Sequence, residues 1–441
     1  MFFSTLEDTL WAGLFLPLFL LSGVSLIRAA GPLPFRALPS LLRTEHSRRQ
    51  KRAGDYRGIQ AASVSLSATI GTGNIVGTAQ AIAMGGPGAV FWMWIAAVLG
   101  MWIKYAEILL GQLHPGGAVR YIRLALGKKA AGAYALLGAL SALAVGDMAQ
   151  MNGAVSAVSA ALPRSESPTL RILLALVLST LLWSVLAGGA ARVGHAAEAL
   201  VPGMTIVFLF FTARTILAHH EQILPIFREI CRCAFHPEAI RGAVGGIGVR
   251  QTILWGLRRG AFSNEAGLGT ASIVHSAVAS KEPAIHASWG IVEVFVDTIL
   301  LCTFAALTIL CSGADIGYGH LPGPELFRDA LASVWGTRTA SWALSLFLAL
   351  FSFTTVMGCS VTGTRCFCAL FDPSAEQFYR TAYVICAVLG CLLPTEAIWR
   401  AADLINVSMA VPALLSLVLL SPSLGREILS RLRMREDRQG S

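Results

Sequence analysis

Long apolar runs separated by short, arginine-rich polar segments dominate the hydropathy pattern of this chain. A transmembrane helix needs about 20 predominantly apolar residues, and the runs reach that length about eleven times. The pattern therefore predicts an all-α integral membrane protein with about eleven transmembrane helices in a lipid bilayer. The predicted spans are 9–30, 59–84, 88–113, 131–162, 169–190, 196–218, 250–280, 284–312, 338–362, 377–395 and 402–422.

The second of these runs is interrupted by residues that form helices poorly. Residues 71–74 (Gly-Thr-Gly-Asn) lie in its middle, and each glycine costs a helix about 1 kcal/mol relative to alanine. Non-helical backbone survives at membrane depth only where protein or a water-filled cavity satisfies its N–H and C=O groups. We therefore expect the helix to break there and the break to form part of a ligand site.

A second interruption lies five helices later, at Ser263-Asn264-Glu265 followed by Gly267 and Gly269. Paired interruptions at matching positions of two halves point to the binding site of a secondary transporter with inverted repeats. The predicted domains are an extra transmembrane helix with a basic cytoplasmic loop (1–57), a first five-helix repeat (58–218), an extracytoplasmic amphipathic connection (219–249), a second five-helix repeat (250–422) and a basic cytoplasmic tail (423–441).

The glycines also allow two other interpretations. Gly71, Gly73 and Gly77 resemble the spacing of a dinucleotide-binding turn, but such a turn needs a preceding strand and an acidic residue about 20 positions later. The first acid after them is Glu107. Glycines also allow transmembrane helices to pack closely. Two matching breaks favour a binding site over close packing alone.

Composition and charge agree with a membrane protein. Of the 441 residues, 55% are hydrophobic and 13% are charged, which is far more apolar than a soluble domain. The net charge of +9 comes largely from arginines in loops between apolar runs, so no nucleic-acid partner is expected. No Lys or Arg precedes the first span, whereas the loop after it is strongly basic. The positive-inside rule then predicts a plasma-membrane protein with its N-terminus outside and its C-terminus cytoplasmic.

Neither the first span nor the cysteines suggest processing or metal binding. Glu7 and Asp8 precede the first apolar run, whereas a signal peptide begins with a basic segment, so we expect a retained helix. All nine cysteines follow residue 230. Most lie inside apolar runs, which predicts packing roles. Cys231 and Cys233 lack the spacing of a zinc site, so no metal beyond Na⁺ is expected.

Two separated motifs resemble the signatures of the sodium:alanine (alanine or glycine:cation) symporter family. The first comprises residues 71–77 and 85–94, the second residues 260–269, and the likeness runs from about residue 58 to 420. This resemblance implies a leucine-transporter-type 5+5 inverted repeat with one extra N-terminal helix. It also implies Na⁺-coupled import of a small neutral amino acid, alanine or glycine, by alternating access.

A buried amino acid needs donors for its carboxylate and acceptors for its ammonium, because an unpaired buried charge costs several kcal/mol. The first break offers backbone N–H groups at the positive end of a half-helix, with the Gln80 amide nearby. The second break offers free carbonyls. The predicted substrate-binding residues are Thr72, Gly73, Asn74, Gln80, Phe262, Ser263, Asn264, Gly267 and Cys359.

Na⁺ is the expected coupling ion, and as a hard cation it binds oxygen atoms. Thr354 and Thr355 offer adjacent hydroxyls in the ninth span. Carried over from the leucine-transporter-type fold, the sodium-binding residues are Ser67, Ile70, Phe351, Thr354 and Thr355, of which the first three contribute carbonyls. The alternative is that the hydroxyls bond back to carbonyls of their own helix.

Two positions depart from the family pattern. Cys359 stands where the family usually has Trp, which predicts a wider pocket and leaves a somewhat larger neutral amino acid open as the substrate. Asp147 stands where Asn is usual. When protonated, this side chain mimics Asn, and when ionised it offers a ligand for a cation.

A charged residue inside a transmembrane span is expensive to bury, so each one is a candidate functional residue. Glu293 and Asp297 share one helix face, which fits a proton relay, although pairing with Arg258 or Arg259 is favoured. The remaining expectations are a pair between Lys104 and Glu107 and local hydrogen bonds for His195 and His275. Glu265, inside the second break, has either a gating or structural role or a direct contact with the substrate.

Two other function classes stay open. A proton-coupled amino-acid carrier of the same fold is suggested by Asp147, Glu293 and Asp297. A membrane-embedded enzyme is the remoter alternative, because no pair of nucleophile and base stands out in any helix. The sequence predicts no oligomeric state.

Overall fold

The computed structural model describes residues 10–41, 57–161, 167–236, 248–391 and 395–439. All regular elements in these ranges are helices. Apart from the short turns Leu33–Arg36, Gly73–Gly77 and Pro373–Ala375, they are in chain order α1 (Trp11–Ala30), α2 (Gly58–Thr69), α3 (Thr78–Gly85), α4 (Gly88–Leu113), α5 (Ala118–Leu126), α6 (Lys128–Ser159), α7 (Pro168–Leu186), α8 (Gly189–Ala218), α9 (His220–Cys233), α10 (Val249–Asn264), α11 (Thr270–His275), α12 (Pro283–Cys311), α13 (Glu325–Trp335), α14 (Thr337–Leu370), α15 (Glu376–Gly390) and α16 (Thr395–Gln439).

Eight helical stretches in the described residues are long and apolar enough to cross a membrane. They are α1, α4, α6, α7, α8, α12, α14 and Leu404–Ile428 of α16. The other three predicted spans coincide with α2 and α3, with α10 and α11, and with α15, whose separate helices have 16 residues or fewer. The total of eleven spans and their division into two repeats therefore stay predictions.

The first break forms where the glycines predict it. The helix α2 ends at Thr69, and Ile70 adopts an extended conformation with φ −75° and ψ 94°. A π-helical turn, Gly73–Gly77, then leads into α3. The side chain of Asn74 stabilises the break, because its Oδ1 accepts a hydrogen bond of 2.9 Å from the N–H of Gly71.

The second break lies between α10 and α11, as predicted. Glu265 occupies the left-handed region with φ 54°, and Gly267 and Gly269 have φ values of 95° and 78°. Glycine adopts positive φ without steric cost, whereas other residues do so rarely. Three residues with positive φ within five positions end α10 and turn the chain into α11.

Two charged side chains of α4 stabilise the second break. The Lys104 ammonium donates to the carbonyl of Asn264 at 3.0 Å, at the negative end of α10. The Glu107 Oε1 atom accepts from the N–H groups of Gly267 and Gly269 at 2.9 Å each, just before the positive end of α11. Both contacts oppose the partial charges of a helix terminus. The predicted pair between Lys104 and Glu107 is therefore wrong, since each binds the break instead.

The interrupted helices lie at the centre, and the peripheral helices expose apolar side chains. Almost every residue of α2 is buried, whereas α7 exposes Leu173 and Leu181 to more than half of their area. The predicted amphipathic connection forms α9, with Ile226 and Ile230 buried. Residues 42–56 of the predicted basic loop and residues 237–247 of the connection lie outside the described residues.

Candidate functional site

A small cavity of about 60 Å³ lies where the two breaks meet α6 and α14. Four of the predicted substrate-binding residues line it, namely Gly73, Phe262, Ser263 and Cys359. The wall is completed by side chains and backbone of α6, α14 and α16, together with the remaining break residues. Among these are Thr69, Gly71, Ser141, Val145, Gly146, Gln150, Glu265, Leu268, Thr270, Thr355, Thr362, Asn406 and Met409.

A larger cavity of about 640 Å³ lies on the side of α3 and α13. Thr72 and Gln80, both predicted to bind substrate, line this cavity. Gly73 and Phe262 line both cavities, which therefore adjoin at these two residues. The larger cavity thus lies next to the small one, as a vestibule lies next to a binding site.

The remaining predicted substrate residues lie behind the cavity walls. Asn74 and Asn264 are 0% exposed and form hydrogen bonds inside the protein. A Cβ atom on Gly267 would lie 2.6 Å from Leu414, which explains the need for glycine there. The structure therefore brings four of the nine predicted residues to the small cavity and two more to the larger one.

Two polar atoms at the small cavity have no hydrogen-bond partner among the described residues. They are Oε1 of Gln150 and Oγ1 of Thr362. The Gln150 amide lies beside the first break, about 3.8 Å from where a Cβ on Gly71 would stand. An unsatisfied buried polar atom costs about 1–3 kcal/mol, so both atoms are suited to bind a polar ligand. Neither residue was predicted, although a polar side chain in mid-span is a usable signal.

The two hydroxyls predicted to bind sodium both bond back to carbonyls of their own helix, and one of them also reaches the first break. The Thr355 hydroxyl contacts the Ile70 carbonyl at 3.3 Å and the Phe351 carbonyl at 2.8 Å. The Thr354 hydroxyl contacts the carbonyls of Leu350 and Phe351 and lies 3.4 Å from the Met204 sulfur on α8. Thr355 therefore faces the first break. The assignment of Ser67, Ile70, Phe351, Thr354 and Thr355 to sodium stays a prediction.

A cluster of hydrogen-bond donors surrounds the carboxylate of Asp297 on α12. Its carboxylate accepts hydrogen bonds from Asn74 at 2.7 Å, Ser263 at 2.8 Å and Thr298 at 2.9 Å. All four residues are buried. The cluster thus connects the first break, the end of α10 and the middle of α12.

Glu293, one turn before Asp297, forms a buried ionic network. Its Oε2 lies 2.6 Å from the Ser65 hydroxyl and 3.3 Å from the Lys104 ammonium. Its Oε1 lies 2.7 Å from Nε2 of His275, whose Nδ1 lies 2.9 Å from His286. The expectation of local hydrogen bonds is confirmed for His195, which contacts the Ala191 carbonyl. It is wrong for His275, whose partners are distant in sequence.

The predicted pairing of Glu293 or Asp297 with an arginine is also wrong. Arg258 lies over the Trp11 ring at 5.0 Å, and Arg259 lies over the Trp255 ring at 5.2 Å. Guanidinium groups bind favourably to aromatic faces. Glu293 and Asp297 instead use the buried partners supplied by α2, α4, α10 and the first break.

The end of α2 opposite the larger cavity is closed by an ion pair. Arg57 Nη2 lies 2.5 Å and 2.8 Å from the two carboxylate oxygens of Glu198 on α8. The Gln60 amide donates to the same carboxylate at 3.1 Å. These contacts hold the first half-helix against α8 at this end.

Comparisons with known proteins agree with this architecture. A family model described as the sodium:alanine symporter family matches residues 1–438. The chain is 33% identical to the sodium/alanine symporter AgcS of Methanococcus maripaludis, over 95% of this chain and 94% of that protein. It is 30% identical to the probable sodium/glutamine symporter GlnT of Bacillus subtilis, over 94% and 87%. The crystal structure of MhsT in complex with L-phenylalanine matches with a TM-score of 0.61 at 15% identity, covering 86% of this chain and all of that one.

Proposed function

The chain belongs to the sodium:alanine symporter family, and from that premise we propose that it imports a small neutral amino acid, alanine or glycine, by alternating access. Na⁺ is the coupling ion of this family. The observation that carries the choice of site is the small cavity at which both broken helices meet. In this proposal the protein acts as a carrier in the plasma membrane, with the larger cavity and α13 on the outside.

The first break and Gln150 hold the substrate carboxylate. The N–H groups that open a helix have no partner within it, and they carry partial positive charge. The π-helical turn that starts at Gly73 presents such groups to the small cavity. The Gln150 amide lies beside the same break. Its NH₂ group donates to the carboxylate, and its unpartnered Oε1 accepts from the neighbouring ammonium group of the substrate.

The second break holds the substrate ammonium. The last carbonyls of α10 have no helical partner, and Lys104 already binds the carbonyl of Asn264. The carbonyls of Phe262 and Ser263 are therefore the acceptors. The carboxylate of Glu265 also lines the cavity, and its Oε2 accepts from Thr270 at 2.9 Å. A negative charge at this wall favours the ammonium group.

The size of the cavity favours the smallest amino acids. A volume of about 60 Å³ is far below the roughly 300–1,000 Å³ of pockets for drug-sized ligands. A larger neutral amino acid is the second candidate. It is favoured by Cys359 in the wall and by Phe262, whose rotation would join the small cavity to the larger one.

Transport of radiolabelled alanine into proteoliposomes tests the proposal. We expect uptake with an inward Na⁺ gradient, none with K⁺ in its place, and competition by glycine stronger than by glutamine. Uptake driven by a pH gradient in Na⁺-free buffer would show a proton-coupled carrier instead. Competition by glutamine as strong as that by glycine would establish the larger substrate.

A pair of matched variants tests the location of the site. Thr362→Val removes a hydroxyl that faces the small cavity without a partner. Thr308→Val removes a hydroxyl that bonds to its own helix at the Phe304 carbonyl. We expect the first variant to weaken alanine binding about two- to tenfold and the second to leave it unchanged, because a net hydrogen bond contributes about 0.5–1.5 kcal/mol. Equal effects would place the substrate elsewhere.

A further inference from the structure

The carboxyl group of Asp147 is buried without a partner. The residue is 0% exposed, and neither of its carboxyl oxygens forms a hydrogen bond with any residue that the structure describes. It lies in the π-helical stretch Ala142–Ala149 in the middle of α6. Asp297 and Glu293 are equally buried, but each has three partners or more. Asp147 therefore differs from these other buried carboxylates, and its two free oxygen atoms are suited to bind a ligand.

The neighbours of Asp147 supply no positive charge. The ionisable groups that face it are thiols and phenols of α14 and α15, and residues 404–425 of α16 contain no ionisable side chain. Glu265, a further acidic residue, lines the small cavity. Within the described part of the chain, no Lys, Arg or His pairs with Asp147. The facing groups are Cys359, Tyr379, Tyr383, Cys386 and Cys391.

The hydrogens of the two phenols are used elsewhere. Tyr379 donates to the carbonyl of Ala139 at 2.7 Å, and Tyr383 donates to the carbonyl of Val356 at 2.9 Å. An ionised carboxylate in these surroundings would be uncompensated, which costs several kcal/mol. A ligand that neutralises the carboxylate removes this cost.

A proton fits this site better than a metal cation. Hard cations need a shell of several oxygen atoms, whereas three of the five ionisable groups around Asp147 are thiols and the hydrogens of the other two are used elsewhere. A proton needs one oxygen atom. We propose that Asp147 is a proton-binding site of this carrier, and that the proton bound there is linked to substrate binding. One carboxylate oxygen takes a proton from a hydronium ion and forms an O–H bond; the hydronium ion becomes water, and the charge of the side chain changes from −1 to 0.

The position of Asp147 explains the linkage. Gly146, directly before it, lines the small cavity and packs closely on Cys359, since a Cβ on Gly146 would lie 2.3 Å from that of Cys359. Ionisation would place an uncompensated negative charge directly behind this wall. That charge repels the carboxylate of an amino acid bound in the small cavity, and so it lowers the affinity for the substrate. The inference rests on the proposed function, because the linkage is expressed in alanine binding.

Alanine binding as a function of pH tests the proposal. The full-length protein is purified in detergent, and binding of radiolabelled alanine is measured at saturating Na⁺ from mildly acidic to alkaline pH. We expect the wild-type affinity to fall by up to tenfold per pH unit once Asp147 ionises in the substrate-free protein. Asp147→Asn should keep the acidic affinity at every pH. Asp372→Asn, at an exposed turn where the carboxylate caps the Ser374 N–H, is the matched control and should follow the wild type.

Infrared spectroscopy gives a second readout that does not depend on transport. The carbonyl band of a protonated carboxylic acid should be present in the wild type at neutral pH and reduced in Asp147→Asn. Asp147→Ser also removes the charge, and it is the variant to measure if Asp147→Asn fails to fold. Absence of any band difference, or identical pH profiles of binding in wild type and variant, would overturn the proposal. A higher Na⁺ requirement of Asp147→Asn at acidic pH would assign the site to Na⁺ and would also overturn it.

Failure of the proposed function has a different signature. A protein that binds no alanine at any pH contradicts the proposed substrate, and the infrared difference then decides alone whether Asp147 holds a proton.

Discussion

The Nδ2 atom of Asn74 lies 2.7 Å from Oδ1 of Asp297, which connects the first break to the middle of α12. The other carboxylate oxygen accepts from Ser263 at the end of α10 at 2.8 Å. One buried carboxylate therefore bonds to both interrupted helices. A movement of either helix during transport must carry Asp297 along or break a charge-assisted hydrogen bond, which contributes about 1.5–3 kcal/mol.

Replacement of Asp297 by Asn tests this connection. The variant offers one acceptor oxygen to the three groups that donate to Asp297. Its NH₂ group replaces the other oxygen and would face the hydrogens of these donors. We expect the initial rate of alanine uptake to fall at least tenfold and the melting temperature in detergent to decrease. Asp329→Asn is the control, because its carboxylate pairs with Arg328 at the exposed surface, where ion pairs contribute about 0–1 kcal/mol. Wild-type uptake in Asp297→Asn would show that the two breaks move independently of α12.

The positions of both breaks could be predicted from local sequence. At the first break, the glycines at positions 71 and 73 disfavour a helix. At the second break, residues 265, 267 and 269 adopt positive φ, and two of these three residues are glycines. The partners of the buried charges could not be predicted, because they depend on tertiary contacts. Lys104 and Glu107 have the spacing of a helical pair, yet they bind Asn264 and Gly267 at the second break. In the protein interior a long-range partner with an unsatisfied backbone group competes successfully with a local one.

Thr355 gives a sharper test of the cation site than Thr354 does. Its hydroxyl lies 3.3 Å from the Ile70 carbonyl at the first break, whereas the Thr354 hydroxyl lies beside Met204. We expect Thr355→Ala and Thr354→Ala both to raise the Na⁺ concentration for half-maximal uptake, with the larger effect in Thr355→Ala. The affinity for alanine should fall by linkage alone. Thr355→Ser keeps the hydroxyl and should behave as the wild type. Unchanged Na⁺ dependence in both alanine variants would place the cation elsewhere.

Lys104 connects the ionic network of α12 to the second break. Its ammonium lies 3.3 Å from Glu293 and 3.0 Å from the Asn264 carbonyl, and it is completely buried. Removal of one partner of a buried pair costs about 3–5 kcal/mol. We therefore expect Lys104→Met to lower the thermal stability in detergent strongly, whereas Lys129→Met, at an exposed position of α6, should not. The double variant of Lys104→Met with Glu293→Gln should recover part of the loss. Additive effects of the two changes would contradict a direct interaction.

Arg57 and Glu198 close the end of α2 that lies opposite the larger cavity. Their side chains are 31% and 27% exposed, and such pairs contribute at most about 1 kcal/mol. Arg57→Gln should therefore raise the equilibrium constant for local opening at this end by no more than about fivefold. The measurement is the rate of hydrogen exchange of the first backbone amides of α2, which should rise by the same factor. The charge reversal Arg57→Glu with Glu198→Arg should restore slow exchange. Arg380→Gln, which breaks a pair with Glu376 on α15, is the control. Equal exchange in all variants would show that this pair does not hold the end closed.

Cys359 sets the width of the small cavity. It lines the wall and packs on Gly146, and the cavity of about 60 Å³ leaves little room beside it. Each methylene of a substrate changes binding in an apolar pocket by about 1–3 kcal/mol. We expect serine and cysteine to compete for alanine uptake in the wild type, and still larger residues to compete in Cys359→Ala. Cys359→Trp should restrict competition to glycine and alanine or abolish uptake, because the indole ring is far larger than the thiol.

The control for this series is Cys311→Ala, because Cys311 is a buried thiol at the end of α12 that lines neither cavity. It should keep the wild-type competition profile, since a change of packing away from the cavity alters stability and not selectivity. A profile confined to glycine and alanine in the wild type, and unchanged in Cys359→Ala and Cys359→Trp, would show that the substrate side chain does not reach position 359. The side chain would then point toward Phe262, and the larger cavity would set the limit on substrate size.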